Sequence, residues 1–141
     1  MLKIRHEVKI HGATKWIRQM SPGNCLYQLI SNGDHKWMVE FYPYGVVGHN
    51  DGNSNNIAYS SFNMLYLGSK PCTARISAGF SAGCGSSNNP AIGYKSEEYC
   101  NFIRGTSGMF DKFLPVDEVL KRVDVNDDSW RLSIVLTFQQ L

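Results

Sequence analysis

Four histidines, four cysteines and an acidic turn are the side chains in this 141-residue chain whose types and spacing could suggest a metal site or a reactive centre. A structural zinc site uses His and Cys ligands at short spacings, and Cys25, Cys72, Cys84 and Cys100 contain no CxxC pair. They read as free thiols, the state a reducing compartment maintains. His6 and His11 stand five apart on an expected strand and so face opposite ways; with His35 and His49 they read as surface or turn residues. Asp124, Asp127 and Asp128 offer carboxylates that would suit calcium. Their spacing, with no bidentate Glu downstream, does not fit an EF-hand, and they read as a solvated turn. Gly83-Cys84-Gly85 has the glycines of a phosphate loop, but nothing after it reads as the helix whose N-terminus would meet the phosphate. Lacking a nucleophile and base, a metal set or a cofactor cradle, the chain is not expected to be an enzyme or to carry a metal or other cofactor.

The elements that the sequence does specify are strands. Trp130, Leu132, Ile134, Leu136 and Phe138 fall on one face of a two-residue repeat, with Arg131, Ser133, Thr137 and Gln139 on the other and Val135 as an outward exception. Trp37, Val39 and Phe41 alternate with Lys36, Met38 and Glu40 before a Pro43-Tyr44-Gly45 turn. A third half-buried strand places Cys72, Ala74, Ile76, Ala78 and Phe80 against Thr73, Arg75, Ser77 and Gly79. Ile57 to Leu67 is strand-like in composition, but two phases compete, Phe62, Met64 and Tyr66 against Tyr59, Leu65 and Leu67. Val46 to Asn56 and Gly83 to Pro90, rich in Gly, Asn and Ser, read as loops. One short helix is expected near Pro115 to Arg122, with Pro115 in its first turn, Asp117 and Glu118 at the positive end of its dipole, and a stripe of Val116, Val119, Leu120 and Val123. Phe110 and Phe113, three apart, would face opposite ways on one strand, so one of them is expected to be exposed or to sit at a bulge. Alternating strands separated by turn clusters give an all-β antiparallel sandwich.

Composition sets the bounds. With 43% hydrophobic and 18% charged residues the chain is globular, and no repeat, linker or composition shift divides it, so residues 1–141 read as one domain. The net charge is +2 with Lys and Arg scattered along the chain, which disfavours nucleic acid as a partner. Met1 to Lys15 lacks the apolar run of a signal peptide or membrane helix, so the expectation is a soluble, intracellular molecule without a membrane partner.

Within this frame the run Ser31-Asn32-Gly33-Asp34-His35-Lys36-Trp37-Met38-Val39-Glu40-Phe41-Tyr42-Pro43-Tyr44-Gly45 resembles the hallmark of the MATH (meprin and TRAF homology) family: a Gly-containing turn, a Trp strand and a Tyr-Pro-x-Gly turn. At similar spacing follow Thr73-Ala74-Arg75-Ile76, Phe102-Ile103-Arg104-Gly105, Met109-Phe110-Asp111-Lys112-Phe113-Leu114, and Val125 to Ile134, which looks like the family's acidic turn and final strand. The resemblance spans nearly the whole chain and implies a TRAF-like sandwich of about eight strands with one short helix. His6 to Gly12 and Gly23-Asn24-Cys25 most resemble plant members in which this domain precedes a BTB domain.

That likeness implies a non-catalytic module, the substrate receptor of a cullin-type ubiquitin ligase working in cytoplasm or nucleus, with a target protein or peptide as partner and ligase contact through a BTB domain absent from these residues. The alternative is a scaffold domain that self-associates; as an isolated domain the chain is expected to be a monomer or a weak homo-oligomer. In speckle-type relatives a groove takes an extended segment with an apolar residue followed by polar and Ser/Thr residues. By position its wall here is Phe62, Ile76, Ser96, Cys100, Thr106, Ser107, Gly108 and Phe110. Gly108 and Cys100 stand where that groove has Trp and Tyr, and Thr106-Ser107 where it has Lys-Asp, so the peptide preferred here is expected to differ.

Overall fold

The computed structural model describes residues 2–46, 58–81 and 91–139. The loops expected over 47–56 and 83–90, together with His49, Cys84 and the Gly83-Cys84-Gly85 run, lie outside the described residues. In chain order the elements are β1 (Leu2–His11), α1 (Ala13–Gln19), β2 (Leu26–Asn32), β3 (His35–Tyr42), β4 (Ser61–Tyr66), β5 (Cys72–Phe80), β6 (Ala91–Lys95), β7 (Cys100–Phe102), β8 (Ser107–Phe110), α2 (Val116–Lys121) and β9 (Ser129–Phe138). Five strands form one antiparallel sheet in the order β1-β9-β5-β6, with β7 also on β5; four form the other in the order β2-β3-β4-β8. This is the antiparallel all-β sandwich that the alternation predicts.

The inner faces follow the two-residue period. Trp130, Leu132, Ile134 and Leu136 of β9 face Trp37, Val39 and Phe41 of β3, all buried. The phase of β4 is settled by its partner: Trp37 pairs with Tyr66, Val39 with Met64 and Phe41 with Phe62, so these three β4 residues share the inner face of β3 and are fully buried. Leu65 is half-buried on the outer face, and Tyr59 lies before the strand in a bridge to Pro115. Thr137 points outward with Lys3 and Arg75 on its rung, yet is only 6% exposed.

Three expectations are corrected. The chain carries a helix that the sequence did not announce, α1, whose N-cap Gly12 has φ 73° and no side chain to bond the first turn. The missing acceptor comes from Asp128, which takes hydrogen bonds from the Thr14 N–H at 2.9 Å and the Thr14 hydroxyl, while its own carbonyl accepts from the Ala13 N–H at 3.0 Å. Second, the stripe on α2 is narrower than expected: Val119 is buried, but Leu120, one residue and about 100° further round the helix, is exposed. Third, Phe110 and Phe113 both pack inward, because β8 ends at Phe110 and the spacing rule for strands stops applying there.

The two large tryptophans are held differently. The Trp130 indole N–H donates to the Val119 carbonyl at 3.0 Å and so ties α2 to the sheet, whereas the Trp37 indole nitrogen, equally buried, has no acceptor. Trp37 is held by rings alone. Both Trp→Phe changes lose ring volume, but Trp130→Phe also removes a buried hydrogen bond, leaving the Val119 carbonyl with only the Arg122 N–H as donor. It is expected to cost about 1 kcal/mol more than Trp37→Phe. Urea denaturation of the two variants measures the difference, and equal losses would refute the distinction.

At the turn before β9 the Lys9 ammonium and the Ser129 hydroxyl hold the Asp127 carboxyl down at about 2. Its folded-state value lies below the unfolded one, so its stabilising effect is present above the ordinary carboxylate range and is lost as pH falls from about 4 through about 2. Asp127→Asn is therefore expected to flatten that part of the acid-unfolding curve; an unchanged slope would show that the contact adds nothing.

Candidate functional site

The turn between β7 and β8 carries the chain from the five-stranded to the four-stranded sheet. Gly105 supplies the positive φ of 91°, Thr106 N–H donates to the Ile103 carbonyl at 2.9 Å, and the Thr106 hydroxyl accepts from the Ile103 N–H at 3.2 Å. A short turn that changes sheets leaves β7 and β8 on opposite lips of the sandwich edge. Between them lies a recess of about 220 Å³ lined by Met64, Ile76, Tyr94, Phe102, Gly108 and Phe110, with Cys100, Asn101, Thr106 and Ser107 completing it.

The floor is sheet interior: Met64, Ile76 and Phe102 are buried. One wall is an aromatic stack, with the Tyr94 and Phe110 rings nearly parallel at 3.5 Å between centroids and Phe62 stacked behind Phe110 at 6.0 Å. Gly108 makes the space. A β-carbon there would meet only the Phe110 ring, at 3.5 Å, so the position tolerates a side chain and would direct it at the space the recess now holds open. Among the described residues the lining contains no carboxylate, imidazole or amine.

Of the eight wall residues expected from sequence, Ile76, Cys100, Thr106, Ser107, Gly108 and Phe110 line this recess. Phe62 does not, being fully buried between Phe110 and Phe113. Ser96 does not either; it is buried at the end of β6, its hydroxyl donating to the Glu98 carbonyl and lying 3.9 Å from the Cys100 sulfur. Sequence reasoning missed Met64, Tyr94, Asn101 and Phe102. The Met64 side of β4 was one of two competing phases, and Tyr94 could be found only by recognising Ala91–Lys95 as a strand.

The groups considered for chemistry stand apart. His6 faces inward and half-buried on β1, with its Nε2 lacking a partner, while His11 is exposed on the other face. His35 stacks on Phe138 at 5.3 Å and donates from Nδ1 to the Tyr66 hydroxyl at 2.9 Å, an oxygen that itself donates to the Lys70 carbonyl. Burial pushes the Tyr66 phenol up to about 12. Cys25, Cys72 and Cys100 are free thiols, and burial raises the first two. Among the described residues no three His, Cys, Asp or Glu side chains come together in a group that could hold a metal, and no helix is long and apolar enough to cross a membrane. Neither a protein-family model nor a curated protein sequence matches this chain.

Proposed function

We propose that this domain is a non-catalytic module that holds an extended segment of a target protein, and the junction of a bare strand edge with an apolar recess carries the reading. β8 ends its sheet, pairing with β4 on one side and with no strand on the other among the described residues. A segment laid along that edge gains main-chain hydrogen bonds, and every second side chain turns towards the sandwich. The recess volume of about 220 Å³ exceeds the roughly 150 Å³ that accommodates a benzene ring, yet falls below the roughly 300–1,000 Å³ of small-molecule sites. It suits one apolar anchor residue. Thr106, Ser107 and Asn101 beside it suit polar residues next to the anchor.

The resemblance to MATH domains of plant MATH-BTB proteins extends the proposal to a substrate receptor that passes its target to a cullin-RING ubiquitin ligase through a BTB domain, in cytoplasm or nucleus. A second reading, self-association as a scaffold, draws on the outer face of the four-stranded sheet. There Tyr27 and Leu29 are 70% and 52% exposed, and Met38 and Leu65 share the Leu29 rung. Under that reading Leu29→Lys lowers the sedimentation coefficient at high protein concentration; a concentration-independent monomer removes the reading.

Selection from a displayed random-peptide library tests the first. Enriched peptides are expected to share one Leu, Met or Phe followed by polar residues, and Gly108→Leu, which plugs the recess, is expected to weaken them by about tenfold or more. A speckle-type peptide is expected to bind poorly to the unmodified chain and better to the Gly108→Trp/Cys100→Tyr variant. Enriched peptides without a shared apolar residue, or indifferent to Gly108→Leu, would end the proposal.

A further inference from the structure

The fold gathers cations that the sequence scatters. On the outer face of the five-stranded sheet two neighbouring rungs read Lys3, Thr137, Arg75 and Arg5, Val135, Ser77, Lys95 across β1, β9, β5 and β6. Neither rung holds a carboxylate. With strands about 4.8 Å apart and about 6.8 Å between like-facing residues, the four cationic positions fall within roughly 15 Å. Lys3, Arg5 and Lys95 are exposed and make no ion pair among the described residues. The Arg75 guanidinium lies over the Tyr99 ring at 4.7 Å, which holds it in a defined place. Between the two rows the floor is small and uncharged, made of Val135, Thr137 and Ser77. The result is a shallow trough over β9 with cations on both banks.

Guarding a sheet edge against unwanted pairing explains some exposed lysines. It explains Lys3 and Arg5 on the edge strand β1 and Lys95 on β6 at the other edge, but not why Arg75 on the interior strand β5 joins them on one face. Further along the same edge the charge is balanced within the chain: Glu7 follows, and Lys9 pairs with Asp127.

We propose that this trough docks an acidic segment of a partner protein, one bearing carboxylate or phosphate side chains, laid along β9 between the two rows. A protein segment fits better than nucleic acid. The trough is about two strand spacings wide, roughly 10 Å, and its few cations fall short of the roughly six to ten phosphate contacts that make duplex binding strong. Its floor has no ring on which a base could stack. The trough lies back to back with the recess across β6, since the Tyr94 ring lines the recess and Lys95 faces the opposite side. The two surfaces can therefore be occupied together, though the trough needs no anchor in the recess.

The test uses a short peptide of alternating Glu and Ser with no apolar residue, and its phosphoserine counterpart, titrated into the isotope-labelled chain. Amide shifts are expected at Lys3, Arg5, Arg75, Ser77, Lys95 and Val135 and not at Ser107 or Gly108, with binding weakened by added salt. Lys3→Glu/Arg5→Glu, and separately Lys95→Glu on another strand, are expected to weaken binding, the double variant by roughly tenfold or more. Lys15→Glu/Lys36→Glu, with the same charge change as the double variant but off this face, is expected to leave it unchanged. Tighter binding of the phosphoserine peptide assigns the site to phosphate, and equal binding assigns it to carboxylates. The proposal is overturned if neither peptide binds, if the control variant loses as much affinity, if the shifts fall on the recess, or if oligothymidylate or phosphatidylserine vesicles bind more tightly than either peptide. A failed peptide selection at the recess would leave these outcomes unaffected.

Discussion

The Trp37 indole braces one sheet against the other, and the rest of the molecule is arranged around that contact. Its ring lies 5.1 Å from Tyr66 on the neighbouring strand, 6.0 Å edge-on from Phe102 and 6.1 Å from Phe138 on the opposite sheet. Burying an indole there removes a large apolar surface from water, and ring-to-ring geometry adds a directional preference. The consequence runs outward along the chain. Phe102 is the last residue of β7, so fixing it against Trp37 fixes where the turn to β8 begins, and hence how far apart the two lips of the recess stand.

A second set of rings, Tyr94, Phe110, Phe62 and Phe113, fills the sandwich beside that brace. Two glycines on either side of this set have opposite uses. At Gly93 a β-carbon would come within 2.5 Å of the Phe113 ring, so the absent side chain lets β6 close down on the core. At Gly108 the absent side chain leaves space that no other part of the described chain fills. Tight closure in one place and an opening in the next convert an ordinary sandwich edge into a defined concavity.

What could be read from the sequence follows from which forces are local. Trp130 to Phe138 and Trp37 to Phe41 declare themselves because one face is buried and the other wet, and the period of two survives in the residue order. Ile57 to Leu67 does not, because Leu65 is apolar on the outer face and only pairing with β3 decides the phase. Phe62 was assigned to the wall by position, but a ring stacked behind Phe110 cannot be told from one in front of it without the third dimension. Met64 and Phe102 line the recess as ordinary core residues, so nothing in their type marks them. The basic face is invisible to a search for charge runs, since Lys3, Arg75 and Lys95 become neighbours only through the order β1-β9-β5-β6.

The link between Thr14 and Asp128 joins residues 114 positions apart, and among the described residues β1 finds its strand partner only in β9. On a ribosome the first strand and first helix therefore emerge with their pairing edge and their cap still unsynthesised. Closing loops of that length is slow relative to local helix or hairpin formation, and topologies rich in such contacts fold slowly. The opening segment of the chain must wait, with Val8 and Trp16 uncovered, until nearly the whole domain has left the exit tunnel. Folding of this domain is completed only when β9 slides between β1 and β5.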